Sequence, residues 1–204
     1  MLGRLAALAG AAFAAGMWWW RKNPSACPYS QRIVVSVPHP LITRSRLKEV
    51  LQPRPGERVL ELGPGTGYYT IELAQWLAPG GRLDLFDLQQ EMLDHTMRRV
   101  EAAGVETPVV PTQGDAMAMP FEDAAFDAVI LTTVLGEIPD QEAALREIRR
   151  VLKPSGRLVV GELAIDPHVV TPRALETRGA TAGLRLEHRS GTALGYFARL
   201  RPAD

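Results

Sequence analysis

Arg58-Val-Leu-Glu-Leu-Gly-Pro-Gly-Thr-Gly-Tyr68 decides the reading of this chain. Val59, Leu60 and Leu62 form a short apolar run, the pattern of a strand buried on both faces. Gly63, Gly65 and Gly67 follow at once. Glycine lets a chain leave a strand through a tight turn and lets a ligand approach bare backbone. Thr70 to Trp76 then reads as the start of a helix. Strand, glycine turn and helix form the nucleotide-binding opening of a doubly wound α/β sheet.

The spacing narrows the nucleotide. A dinucleotide fingerprint, G-x-G-x-x-G, requires glycine or alanine at position 68, and Tyr68 stands there. Its bulk argues against a pyrophosphate seated on the helix N-terminus, which disfavours a dehydrogenase. The next apolar stretch, Leu83-Asp-Leu-Phe-Asp87, ends on an acid 22 residues beyond Gly65. That is near the ~20-residue offset at which an acidic residue accepts hydrogen bonds from ribose hydroxyls.

Downstream, a helix is expected over Gln89 to Ala103, with Leu93, Met97 and Val100 inward and Gly104 as its stop. Pro108-Val-Val-Pro111 reads as a third strand at a sheet edge, because proline cannot donate to a ladder. Phe126 to Leu131 is the fourth strand and Gln141 to Leu152 a helix. Lys153-Pro-Ser-Gly156 turns into a fifth strand at Leu158-Val-Val160. Thr171-Pro172 caps a short helix. Leu184 to His188 and Ala193 to Leu200 read as a closing hairpin across Ser190-Gly191.

Upstream, residues 5–20 carry no charge, are dominated by alanine and end in Trp18-Trp19-Trp20, with Arg21 and Lys22 behind them. As a helix at ~1.5 Å per residue the run spans roughly 24 Å, short of a ~30 Å hydrocarbon core. Tryptophans beside cations suit a membrane–water interface. Three readings stand: a short membrane anchor over residues 1–22, a cleaved signal peptide, or a helix packed on protein. Residues 23–46 form a proline-rich connector in which Ile33, Val34, Val35 and Val37 are apolar. It either caps the site, lies on a membrane surface, or is a packed linker. Thr43 is the expected N-cap of a helix with Leu47, Val50 and Leu51 inward, stopped by Pro53. The domain proper is expected over residues 47–204.

The chain has 204 residues, enough for one α/β domain. Lys plus Arg balance Asp plus Glu at 23 each, without the basic surplus of a nucleic-acid binder. Cys27 is the single cysteine, and no Cys/His cluster has metal-ligand spacing.

The pattern Glu61-x-Gly-x-Gly-x-Gly67 resembles motif I of class I S-adenosylmethionine-dependent methyltransferases. Asp87-Leu-Gln-Gln-Glu-Met-Leu93, Gly114-Asp-Ala116, Met119-Pro-Phe-Glu-Asp123, Phe126-Asp127 and Glu147-Ile-Arg-Arg-Val-Leu-Lys-Pro-Ser-Gly156 resemble the ubiquinone/menaquinone-biosynthesis type of that class. The similarity runs over about residues 47–165; Ser155 departs from it where a second glycine is usual. The resemblance implies a Rossmann-like seven-stranded sheet in the order 3-2-1-4-5-7-6, strand 7 antiparallel. It implies S-adenosyl-L-methionine as cofactor and S-adenosyl-L-homocysteine as product.

Carried onto this sequence, the resemblance places Glu61, Gly63, Gly65 and Gly67 near the methionine part of the cofactor. Asp87 would bind the ribose, with Leu88 beside it, and Met92 would lie against the adenine. Asp115 would accept from the adenine amino group and Ala116 would offer backbone. Thr132 and Thr133 would floor the site. Glu137 is the candidate general base, with Tyr69 in a loop on the same border. The chain reads Thr132-Thr-Val-Leu-Gly136 where an Asn-Pro-Pro-Tyr-type motif would mark an amino-nitrogen target. The expectation is a methyltransferase for a small hydrophobic or lipid/quinone-like acceptor, membrane-associated and facing the cytoplasm. The alternative is a membrane-tethered cofactor-binding protein without turnover.

Overall fold

The structure, a computed structural model, describes residues 23–32 and 40–203. The anchor expected at 1–22 and the Ile33–Val37 part of the connector lie outside the described residues. Among the described residues no helix is long and apolar enough to cross a membrane.

Helix α1 (Arg44–Leu51) precedes β1 (Arg58–Leu62), α2 (Thr70–Leu77), β2 (Arg82–Asp87), α3 (Gln90–Ala102), β3 (Val109–Gln113) and β4 (Phe126–Thr132). Then come α4 (Gln141–Val151), β5 (Leu152–Leu163), α5 (Pro172–Thr181), β6 (Leu184–Thr192) and β7 (Gly195–Pro202). The strands form one seven-stranded sheet in the order β3-β2-β1-β4-β5-β7-β6. β1 to β5 pair in parallel and β7 runs antiparallel to both β5 and β6, as the resemblance implied.

The alternation of each strand splits the core between two layers. Val59, Leu83, Ala128 and Val159 face α1, α2 and α3, where Leu47, Leu51, Leu73 and Leu93 meet them. Leu60, Val129, Leu158 and Val160 face α4 and α5, against Leu145, Ile148 and Leu175. The caps read from sequence hold: Thr43 accepts from Arg46 N and Thr171 from Ala174 N, with Pro172 opening α5. At the N-terminal edge of the parallel strands, Arg157 makes a two-pronged pair with Glu57 at 2.6 and 2.9 Å. The same guanidinium caps the end of α1 through the Leu51 and Gln52 carbonyls.

Two local expectations are corrected. The hairpin turn falls at Ala193-Leu194, not Ser190-Gly191, because β6 continues to Thr192. Gly191 has φ +114, and a Cβ there would overlap the Gly195 carbonyl oxygen. Its glycine permits close cross-strand approach within the ladder. The turn at 153–156 is a bulge inside a longer β5, where pairing steps from Phe126↔Leu152 to Ala128↔Arg157.

Candidate active site

The parallel strands end at one edge, and between β1 and β4 the strand order reverses direction. Such a switch point opens a crevice outside the carboxyl ends of the strands. Gly63, Gly65 and Gly67 fold the β1–α2 connection there with φ of +67, +58 and +75, values that side chains rarely adopt. A Cβ at Gly63 would overlap the Val134 side chain, and one at Gly67 would lie 2.8 Å from Thr96 Cγ2. Thr96 Oγ1 also donates to the Gly65 carbonyl at 3.0 Å, so α3 locks the turn.

The crevice is a cavity of about 390 Å³, within the range of small-molecule sites. Glu61, Gly63, Gly65, Asp87, Leu88, Met92, Asp115, Ala116, Thr132, Thr133 and Glu137 all line it. Gly67 lies outside the lining, where it admits the close approach of Thr96. Asp115 is exposed and turns its own loop, accepting from Met117 N at 2.9 Å. Thr133 holds φ +54, left-handed for a β-branched residue, and its hydroxyl donates to the Thr132 carbonyl. Strain of this kind clusters at functional sites.

Three carboxyls in the cavity sit in environments that favour the neutral form. Burial pushes Glu61 up to about 7, against the pull of the Thr70 hydroxyl that donates to it at 2.6 Å. Burial pushes Asp87 up to about 6, although Gln89 N donates to its Oδ1 at 2.8 Å. Glu137 is pushed up to about 8 by burial and by the nearby charges of Asp166 and Asp87. Tyr69 lines the cavity too, but its hydroxyl donates to the Ile42 carbonyl at 2.6 Å and burial raises its pKa. It is a poor base.

Residues 24–27 of the connector meet the site: Pro24, Ser25, Ala26 and Cys27 line the cavity. Cys27 N donates to Glu137 Oε2 at 3.2 Å. Gln89 holds the same strap through two hydrogen bonds: its Nε2 donates to the Cys27 carbonyl at 2.9 Å and its Oε1 accepts from Tyr29 N at 3.0 Å. Gln89 thus satisfies the strap's backbone as a neighbouring strand would. It follows Asp87 by two residues, but nothing local in the sequence pairs it with residues 62 and 60 positions away. The sequence reading also passed over Glu162, buried behind Glu137, which accepts from Val170 N at 3.1 Å. Burial and the Asp166 and Glu137 charges push it up to about 8.

Solved structures share the architecture. A SAM-dependent methyltransferase from Aquifex aeolicus superposes with a TM-score of 0.78 at 18% identity, covering 86% of this chain and 98% of that one. The [4+2]-cyclase SpnF superposes at 0.68 with 20% identity, covering 79% and 80%. At such identities the likeness establishes the fold, and the cyclase is a reminder that one fold hosts several reactions. The sheet order and glycine turn define the class I S-adenosylmethionine-dependent methyltransferase fold. Residues 32–174 match the model of the ubiE/COQ5 methyltransferase family, and the chain belongs to that family. The demethylmenaquinone methyltransferase of Corynebacterium efficiens is 40% identical over 131 residues, 64% of this chain and 52% of the relative. The ubiquinone/menaquinone biosynthesis C-methyltransferase UbiE of Pasteurella multocida is 38% identical over 117 residues, 56% and 44%. The chain spans about half the length of the curated relatives it matches.

Proposed function

We propose that this chain transfers a methyl group from S-adenosyl-L-methionine to a small hydrophobic, quinone-like acceptor at a membrane. The observation that carries the reading is the meeting of Glu61, Asp87 and Glu137 in one cavity on the glycine turn. The donors present suit the cofactor: carboxyls for an ammonium and for ribose hydroxyls, bare backbone at Gly63 and Gly65, and Phe86 and Met92 as apolar walls. When bound, the cofactor supplies an electrophilic methyl carbon on a sulfonium. Glu61 holds the methionine end, Asp87 the ribose, and Met92 the adenine face. The protein's remaining work is to keep water out and hold the acceptor in line.

The strap at residues 24–27 covers the cavity and serves as its cap. Glu137, at the border of strap and cavity, takes the proton that a hydroxylated ring releases on methylation. A carboxyl raised this far beside a cofactor-sized cavity favours turnover over a binding scaffold. Residues 1–22 hold the domain at the membrane, with the catalytic domain and Arg21-Lys22 on the cytoplasmic side.

The test is methyl transfer from labelled cofactor to demethylmenaquinol in lipid vesicles, with titrations of S-adenosylhomocysteine and NAD. Binding of S-adenosylhomocysteine without transfer to any quinol would leave the scaffold reading. Fractionation of the full chain and of a chain cut after Lys22 tests the anchor: the full chain should pellet with membranes and the cut chain should stay soluble with its cofactor affinity.

A further inference from the structure

We infer that the domain lays the C-terminal edge of its parallel strands on the lipid bilayer, with Leu88, Ile165 and Leu194 as the points of contact around the cavity mouth. The inference rests on the membrane reading of residues 1–22 and adds to it the face that meets the lipid.

Among the described residues, the large apolar side chains left in solvent are Leu88, Ile165 and Leu194, at 57, 84 and 63% exposure. The topology places all three on one edge. Leu88 follows the end of β2, and Ile165 stands two residues beyond β5. Leu194 is in the turn before β7, whose first residue, Gly195, pairs with Leu163 at the end of β5. Ala164 N donates to the Leu194 carbonyl at 2.9 Å, joining those two loops. The sheet order sets Leu88 on the β2 side of the cavity and the other two on the β5–β7 side, so they flank its mouth. The opposite edge, at 52–57, 78–81 and 103–108, has no exposed large apolar side chain.

The chain's connections agree with this face. The apolar run of residues 5–20 and its three tryptophans join the described structure at Asn23, and Pro24 to Cys27 line the cavity. The apolar stretch Ile33-Val-Val-Ser-Val37 leaves from Arg32, whose guanidinium lies 4.5 Å over the Tyr29 ring. The chain returns at Pro40, beside Leu41, which packs against Gly195 at the head of β7. Both apolar segments therefore begin or end on the edge that carries the three exposed side chains. Apolar loop tips gain by leaving water, and a lipid-borne acceptor would pass from bilayer to cavity without crossing solvent.

The test uses the full chain with the photoreactive residue p-benzoylphenylalanine at position 165, 194 or 106, bound to vesicles of phosphatidylethanolamine and phosphatidylglycerol. Glu106 is an exposed residue on the opposite edge and serves as control. Position 193, exposed in the same turn, replaces 194 should that variant melt early. Irradiation should give lipid-mass adducts at 165 and at 194 or 193, and only background at 106. Pelleting of the protein with background labelling at 165 and 193–194 would overturn the inference and leave the anchor standing. Crosslinks to a second copy of the chain at those positions would also overturn it, assigning the edge to self-association. A full chain that stays in the supernatant would remove the anchor and this inference together.

Discussion

Glu137 Oε2 accepts the backbone N–H of Cys27 at 3.2 Å, across 110 residues of chain. One carboxyl thereby joins the loop after β4 to the strap that lines the cavity. It is held near pH 8 by burial and by Asp166 and Asp87. A carboxyl that must lose its proton to act gives a rate that rises with pH. Turnover should climb toward a plateau with an apparent pKa at or below about 8, because the bound sulfonium favours the ionised form. Glu137→Gln should abolish the pH limb and lower kcat by roughly 10²–10⁴-fold, the usual weight of general acid–base catalysis. Profiles of kcat against pH for both proteins check this; an undiminished Glu137→Gln rate would exclude the base.

Gln89→Ala removes both side-chain hydrogen bonds to the strap, at 2.9 and 3.0 Å. Each is worth about 0.5–1.5 kcal/mol, spent on local closure more than on global folding. Hydrogen exchange should accelerate at residues 25–31 while Tm changes little, and KM for the acceptor should rise. Unchanged exchange there would mean the strap is held by other contacts.

Asp87→Ala should weaken S-adenosylhomocysteine binding about 10- to 100-fold, the cost of a charged hydrogen bond of ~1.5–3 kcal/mol. Thermal stability should not fall, and near neutral pH can rise, since burial of Asp87 disfavours its ionised form. In the wild type, Glu61 and Asp87 titrate near 7 and 6 when the site is free. An ammonium and ribose hydroxyls favour the ionised carboxylates, so affinity should rise as pH rises through 6 to 7, with proton release. Calorimetry in two buffers of different ionisation enthalpy measures that release; none would disprove the assignment.

Raised carboxyls also tilt stability. Glu61, Asp87, Glu137 and Glu162 hold protons in the fold at pH values where the unfolded chain has lost them. Their contribution is fully present below the unfolded carboxylate range near ~4 and is lost as pH rises through about 6 to 8. Tm of the cofactor-free protein should fall over that window. Glu162 Oε1 is buried with no hydrogen-bond partner, so Glu162→Gln should flatten the fall. A wild-type Tm that rises from pH 5 to 8 would contradict the assignment of these groups.

Gly65→Val places a β-branched residue at φ +58, at a cost of roughly 1–2 kcal/mol for left-handed backbone. The variant should fold with a lower Tm and bind no S-adenosylhomocysteine in titration. Retained binding would show that the ligand does not approach that backbone.

Within the chain, local pattern and tertiary contact divided the work. Strand β1, the glycine turn, the caps at Thr43 and Thr171 and the edge strand at Val109–Gln113 were all legible, because each depends on neighbours in sequence. The convergence of Glu61, Asp87, Asp115, Thr132 and Glu137 on one cavity was legible mainly through the family resemblance, with Asp87 alone also read from its spacing to the glycine turn; the doubly wound topology is what brings them to one edge. Gly191 was misread as part of the hairpin turn, and the packing of Gly67 against Thr96 went unread, because what a glycine avoids is set by its spatial neighbour. The strap's grip by Gln89 and Glu137 was illegible for the same reason, as was the protonated state of the site's acids. Periodicity and turn chemistry act over a few residues and can be read from a string. Burial, and the hydrogen bond between residues 110 positions apart, exist only once the sheet has closed and excluded water, and that decided which carboxyls keep their protons and which distant strap reaches them.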